Sequence, residues 1–216
     1  MSVDEKTGIQ ALERFVQQAP PSKGGHQRKE FEYKRNGTTC LMAALDVAKG
    51  KIVNQRIHPT RKEEDFLQFV KKTVDRYPST DEVIFLCDQL NTHMSESLVR
   101  YIAEITGFEG DLGKKGKVGI LKSMPSRTAF LETEAHRVRF VYTPKHCSWL
   151  NPVENWFAKL DRHIIRNGHF LSVKELENKI KAYIEFYNRC LVKPLNWKFK
   201  GFFKNKPLTN IRGSGT

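Results

Sequence analysis

The sequence predicts an α/β protein built on a mixed five-stranded sheet with helices on both faces. Three observations carry that expectation. Three strand-like segments come first, joined by turn signals, as in an antiparallel meander. Two further apolar segments, at 83–87 and 138–142, are set apart by helical repeats, as crossover connections require. The stretch after residue 153 is amphipathic at helical spacing.

The elements follow in order. Residues 3–12 read as the first strand. Residues 17–29 (QQAPPSKGGHQRK) are rich in Pro, Gly and polar side chains and read as an exposed loop. Residues 38–47 (TTCLMAALDV) form a mostly apolar strand, Ala48-Lys49-Gly50 supplies a turn, and 51–57 (KIVNQRI) alternates apolar with polar. Thr60 and Glu63 have capping-box spacing. Phe66, Phe69, Val70, Val74 and Tyr77 then repeat helically until Pro78 ends the run. The continuous apolar run VIFLC at 83–87 marks a strand buried on both faces, and it leads directly into Asp88. Leu98, Ile102 and Ile105 mark a second helix. The Gly- and Lys-rich residues 107–123 read as an insertion or mobile loop. A short helix near 127–136 precedes the strand at 138–142. After a loop over 143–152, Val153, Phe157, Leu160 and Ile164 mark the buried face of a helix over 153–165, with Asn155, Lys159, Arg162 and Arg166 on its exposed stripe. Ser172 with Glu175 opens a last helix whose core face is Val173, Leu176, Ile180, Tyr183, Ile184 and Tyr187.

Composition narrows the function classes. The 216 residues include 37 Lys and Arg against 24 Asp and Glu, a formal net charge of +13. With 39% hydrophobic and 28% charged residues, the chain is globular rather than disordered. No apolar run approaches the ~18–20 residues of a membrane span. The start, MSVDEKTGIQ, is unlike a signal peptide, so a cytoplasmic location is expected. Cys40, Cys87, Cys147 and Cys190 lack zinc-ligand spacing and read as reduced, structural thiols. There is no P-loop motif for nucleotide chemistry. The charge favours a polyanionic partner, most often nucleic acid. It is uneven: residues 156–216 hold thirteen Lys and Arg against four acids.

Three acids stand in unusual places. Asp88 lies at the carboxyl end of a buried strand, where open α/β sheets bind ligands. Asp4 lies within the first strand, beside Glu5, and Glu154 sits in the first turn of the 153–165 helix. The topology allows all three to converge. Their mutual repulsion would raise their pKa values unless cations neutralise them. Oxygen-only ligation suits Mg²⁺ or Mn²⁺, and a pair of such ions serves phosphodiester chemistry. Each acid also has a plain explanation: Asp88 as a helix cap, Glu154 as a macrodipole partner, Asp4 as an exposed residue near a terminus. Asp46 competes, but the turn after it gives it a hairpin role. Asn91 and His93 either orient the Asp88 loop or touch a phosphate. His146, Trp149 and Asn151 are DNA-contact candidates before Glu154. An exposed Trp149 would stack on a base, although the reading leans to Trp149 buried as a loop anchor. Lys159, Arg162 and Arg166 are phosphate-contact candidates.

Four segments carry a resemblance: VDEKTGIQALER at 3–14, YKRNGTTCLMAALDVAKGK at 33–51, CDQLNTH at 87–93 and YTPKHCSWLNPVENWFAKL at 142–160. Together they resemble the catalytic domain of bacterial insertion-sequence transposases in the mariner-like branch of the DDE transposase/integrase superfamily. The resemblance implies an RNase H-like fold and a metal-bound triad of Asp4, Asp88 and Glu154 holding two Mg²⁺ or Mn²⁺. It implies cleavage at transposon ends and transfer of the 3′-OH strand to target DNA, without a nucleotide cofactor or membrane. It implies an active complex that is a homodimer or larger. A non-catalytic DNA-binding relative and an RNase H-like nuclease without strand transfer stand as alternatives. The expected organisation is a catalytic domain over 1–192, with a 17–32 loop and a 107–125 insertion, then a basic and aromatic tail over 193–216. The family's helix-turn-helix DNA-binding domain is expected to be absent from this chain.

Overall fold

The computed structural model describes residues 1–15, 32–145 and 147–196. Its five strands are β1 (Ser2–Arg14), β2 (Tyr33–Asp46), β3 (Lys51–His58), β4 (Val83–Cys87) and β5 (Val138–Tyr142). They lie in the order β3-β2-β1-β4-β5. The first three pair antiparallel, and β4 and β5 extend the sheet in parallel beside β1. The mixed sheet expected from the sequence is therefore present. The β2–β3 turn depends on Asp46: its carboxylate accepts from the Lys49 N–H at 3.0 Å and its carbonyl from Gly50 at 2.7 Å. Gly50 has φ +70°, and a Cβ there would meet the Lys193 carbonyl oxygen at 1.9 Å, so only glycine fits.

Helices α1 (Glu63–Val74), α2 (Glu96–Ile105) and α3 (Met124–Leu131) cover one face, packing Phe66, Phe69, Leu98 and Ile102 against Val3, Met42 and Phe85. Helices α4 (Pro152–Leu160) and α5 (Val173–Phe186) cover the other, packing Val153, Trp156, Phe157 and Ile180 against Leu41, Ala43 and Ile9. Strand alternation decides which face each β1 side chain serves. Val3 and Glu5 point to the α1–α3 layer, whereas Asp4 and Lys6 point to the α4–α5 layer. A bulge between Lys6 and Ile9, containing Gly8 at φ +63°, resets the phase, so Ile9 and Ala11 also face α4 and α5.

Several local expectations change. The cap of α1 is closed by Asp65 rather than Glu63: its Oδ2 accepts from Thr60 Oγ1 at 2.7 Å and from Lys62 N at 2.9 Å. Glu63 instead accepts from Ser97 N at 3.1 Å. Helix α2 is capped by Ser95, and Ile105 on its expected buried side is 37% exposed. Helix α3 starts earlier than expected because Ser123 caps it and Pro125 suits its first turn. The helix expected over 153–165 ends as α4 at Leu160 and continues as a π turn over Asp161–Ile165. Within the Gly- and Lys-rich residues 107–123, Lys114 pairs with Val118 and Leu121 with Leu112 in a small hairpin. The four cysteines are unpaired, with Cys40 and Cys87 buried. Among the described residues, no helix is long and apolar enough to cross a membrane. The 17–29 loop and the Trp197–Phe203 part of the tail lie outside the described residues.

Candidate active site

Asp4, Asp88 and Glu154 arrive from three elements. Asp4 is in the middle strand and only 7% exposed. Asp88 directly follows β4, and Glu154 occupies the first turn of α4. What pins α4 to β1 is a buried latch of Ser2 and Asn151. Asn151 Nδ2 donates to the Val3 carbonyl at 2.8 Å and to Asp4 Oδ2 at 3.2 Å, while its Oδ1 accepts from Ser2 Oγ. Ser2 Oγ in turn accepts from Val153 N at 2.8 Å, so a serine on the strand caps the helix from outside. This sets Glu154 over Asp4.

The electrostatics follow from that packing. Burial pushes the Asp4 carboxyl up to about 7, and the charges of Asp88, Glu154 and Glu5 add to the shift. Glu154 is also raised: burial first, then the Asp88 charge, push it up against the Lys6 charge and a hydrogen bond with Asp4, which pull it down. Burial and like charge thus disfavour full ionisation of this pair. Asp88 behaves differently. Burial opposes its ionisation, but His93 overcomes that and holds it below the usual carboxylate range. His93 has no exposed surface. Its Nδ1 lies 2.8 Å from Asp88 Oδ1, and its Nε2 lies 3.0 Å from Glu5 Oε1. With a carboxylate at each ring nitrogen, both nitrogens donate. Burial works against the imidazolium, yet Asp88, Cys87 and Glu5 raise its pKa well above the ordinary value.

Do these residues suit a divalent cation? The donor set is oxygen-only, and the carboxyls of Asp4 and Glu154 both resist ionisation without a neighbouring positive charge, which fits a hard cation. Side-chain placement is less complete, since Asp88 is turned to His93. Among the described residues, no three His, Cys, Asp or Glu side chains are gathered closely enough to hold a metal ion.

The other candidate residues separate into groups. Asn91 is exposed on a 3-10 turn after Asp88 and lines a cavity of about 500 Å³ with Gln89, Met124 and Lys145. An adjoining cavity of about 350 Å³ reaches Asp88 itself. A concavity of about 460 Å³ along β3, lined by Lys51, Arg76 and Asn188, holds none of the three acids. His93 orients the Asp88 loop and is too buried to touch a phosphate. Asn151, also without exposed surface, is part of the latch rather than a DNA contact. Trp149, expected to be a buried anchor, is 67% exposed, because Asn151 and Trp156 anchor this stretch instead. Lys159, Arg162 and Arg166 are exposed as expected, Lys159 over the Tyr187 ring at 5.7 Å and Arg166 at 3.4 Å from Asp161. His146 lies outside the described residues. Sequence reasoning missed Glu5 and Ser2 as site residues. A second acid beside Asp4 on a central strand was the available signal, because alternation sends it into the opposite core.

A family profile described as "DDE superfamily endonuclease" matches residues 1–177. Among solved structures, the chain is similar to the Mos1 mariner paired-end complex with Mn, with TM-score 0.56 and 14% identity over 87% of this chain and 49% of that one. It is also similar to a pre-cleavage Mos1 transpososome (TM-score 0.55, 14% identity, 87% and 50% covered) and to the Mos1 strand transfer complex (0.53, 15%, 87% and 48%). The chain therefore spans about half the length of these proteins, and what it shares with them is the RNase H-like fold. No curated protein sequence matches it.

Proposed function

The chain belongs to the DDE superfamily of endonucleases, and from that premise we propose that it is the catalytic domain of a DNA transposase. It cuts phosphodiester bonds at the ends of a mobile element and passes the 3′-OH strand to target DNA. One observation carries this reading. Three acids from distant parts of the sequence are carried to neighbouring positions, Asp4 on the central strand, Asp88 just after the adjacent β4 and Glu154 in the first turn of the helix latched to β1, near enough for the charges of Asp88 and Glu154 to act on Asp4.

Asp4, Asp88 and Glu154 would hold two divalent cations, Mg²⁺ or Mn²⁺; such ions supply Lewis acidity at a phosphoryl oxygen and at the attacking and leaving oxygens. The chain's own residues do the rest. His93 keeps Asp88 ionised and braced. The latch of Ser2 and Asn151 fixes Glu154 over Asp4. Lys159, Arg162 and Arg166, with Lys6 on the same side of β1, hold phosphates along the end of α4 and the π turn that continues it. Exposed Trp149 offers a face on which a base can stack near the cleavage point, and Asn91 sits on the rim of the neighbouring cavity. Both steps use one acid cluster, and no covalent protein–DNA intermediate is needed. The Mos1 structures are paired-end and strand transfer complexes, which supports DNA ends as substrate and an assembly of at least two subunits here.

Incubation with supercoiled plasmid and with element-end oligonucleotides in Mg²⁺ or Mn²⁺ tests the reading. Wild type nicks and joins, while Asp88→Asn and Glu154→Gln do neither. Equal behaviour of wild type and variants refutes catalysis. Cleavage without any joined product leaves a nuclease and refutes the transfer step.

A further inference from the structure

Residues 107–123 form a built element. Lys114 and Val118 pair backbone to backbone at 3.0 and 3.2 Å, and Leu121 N donates to the Leu112 carbonyl at 2.9 Å. The root is anchored, with Leu121 fully buried and Leu112 and Ile120 packed against the α1–α3 core. The glycines are required where the two arms cross. Gly113 and Gly119 have φ +80° and +72°, and a Cβ on Gly113 would meet the Val118 carbonyl oxygen at 2.1 Å. The two acids of the segment stay near its root: Asp111 accepts from Gly113 N at 2.8 Å, and Glu109 precedes it. The tip carries exposed Lys114, Lys115 and Lys117, with exposed Lys122 close behind.

The hairpin's position gives these lysines meaning. Lys115 Nζ lies 4.0 Å from Glu63 at the start of α1, and Glu63 is bonded to Ser97 at the start of α2. Both helix starts lie at the end of the sheet where Asp88 emerges, and the exposed Arg61 beside them already acts on the Asp88 charge. A backbone-paired, cationic surface thus flanks the acids on the α1–α3 side, opposite the Lys159, Arg162 and Arg166 stripe on the α4 side.

We infer that the 112–122 hairpin, with Arg61, is a second phosphate-contacting surface that holds duplex DNA from the side opposite α4. The occupant follows from charge complementarity: adjacent lysines on a backbone-paired turn match a row of phosphates and read no sequence. This inference rests on the reading of the chain as a DNA-processing domain and extends it to a second DNA contact. The test is the binding of a fluorescein-labelled duplex of arbitrary sequence, followed by anisotropy over a range of salt. Combined Lys114→Gln, Lys115→Gln and Lys117→Gln weakens binding about tenfold or more and lowers the slope of log affinity against log salt by about 2–3. The corresponding arginine triple restores both. Wild-type affinity and slope in the glutamine triple overturn the inference, as does a change in oligomeric state without a change in DNA binding. A parallel Lys159→Gln, Arg162→Gln, Arg166→Gln triple separates the two levels. If it weakens binding and the hairpin triple does not, the inference fails and the proposed function stands. If wild type shows no salt-dependent DNA binding, both fail.

Discussion

Replacing Asn151 by alanine tests whether the latch sets the site. Asn151 is fully buried, and the substitution removes its hydrogen bonds to Val3 O, Asp4 Oδ2 and Ser2 Oγ at once. A neutral buried bond contributes ~1 kcal/mol net, and a stranded buried partner costs ~1–3 kcal/mol. Ser2 Oγ keeps its bond from Val153 N, and Asp4 keeps the bond from Glu5 N at 2.8 Å, so the loss is partial. The total comes to about 3 kcal/mol, a large share of the ~5–15 kcal/mol that holds a domain together. For a chain of this length it lowers Tm by ~6–12 °C. Circular dichroism melts of wild type and Asn151→Ala provide the measurement, alongside plasmid cleavage. Cleavage should fall more than the folded fraction does, because α4 loses its fixed register over β1. A Tm within 2 °C of wild type, or cleavage that merely tracks the folded fraction, refutes the latch.

Other consequences follow. His93→Ala leaves the Glu5 carboxylate buried without its cation and should cost about 3–5 kcal/mol; the His93→Ala, Glu5→Ala double variant should be less destabilised than the sum of the two singles, and additive denaturation energies would rule out the bridge. Asp4 holds its proton up to about pH 7 when folded, against 3.8 unfolded, so the folded state binds the extra proton. Cation-free stability is then full below pH 4 and falls by up to ~4 kcal/mol as pH rises through 7. Asp4→Asn should flatten that slope in chemical denaturation, raise stability at pH 8 and abolish cleavage. Adding Mn²⁺ to wild type at pH 7 should release protons, and its failure to do so would remove Asp4 from the ion's ligands. Trp149→Ala should leave Tm unchanged, since the ring is 67% exposed, yet weaken binding to an element-end oligonucleotide by about 1–3 kcal/mol; unchanged affinity would discount stacking.

Much of this was legible in the sequence because the signals are local. VIFLC running into Asp88, the alternation of 51–57 and the spacing of Val153, Phe157 and Leu160 each fix an element through its own period. The motifs named the three acids without any contact being known. Trp149 and Trp156 show where local signals stop. Both lie in one short stretch of similar composition, yet one is exposed and the other is 2% exposed, because the start of α4 is fixed by Ser2, about 150 residues away. The cap of α1 shows the same limit on a smaller scale: Glu63 had the right spacing, but Asp65 had the geometry.

The sequence by itself determined the order of strands and helices, the sheet class and the family, and it named three candidate acids, since periodicity and motif spacing are written along the chain. Only the tertiary structure decided their state. It gave His93 two carboxylates, placed Asp4 and Glu5 on opposite faces of one strand, and turned a Gly- and Lys-rich insertion into a rooted cationic hairpin. Protonation and side-chain roles depend on burial and on neighbours brought in from afar, and neither is set until the chain has folded.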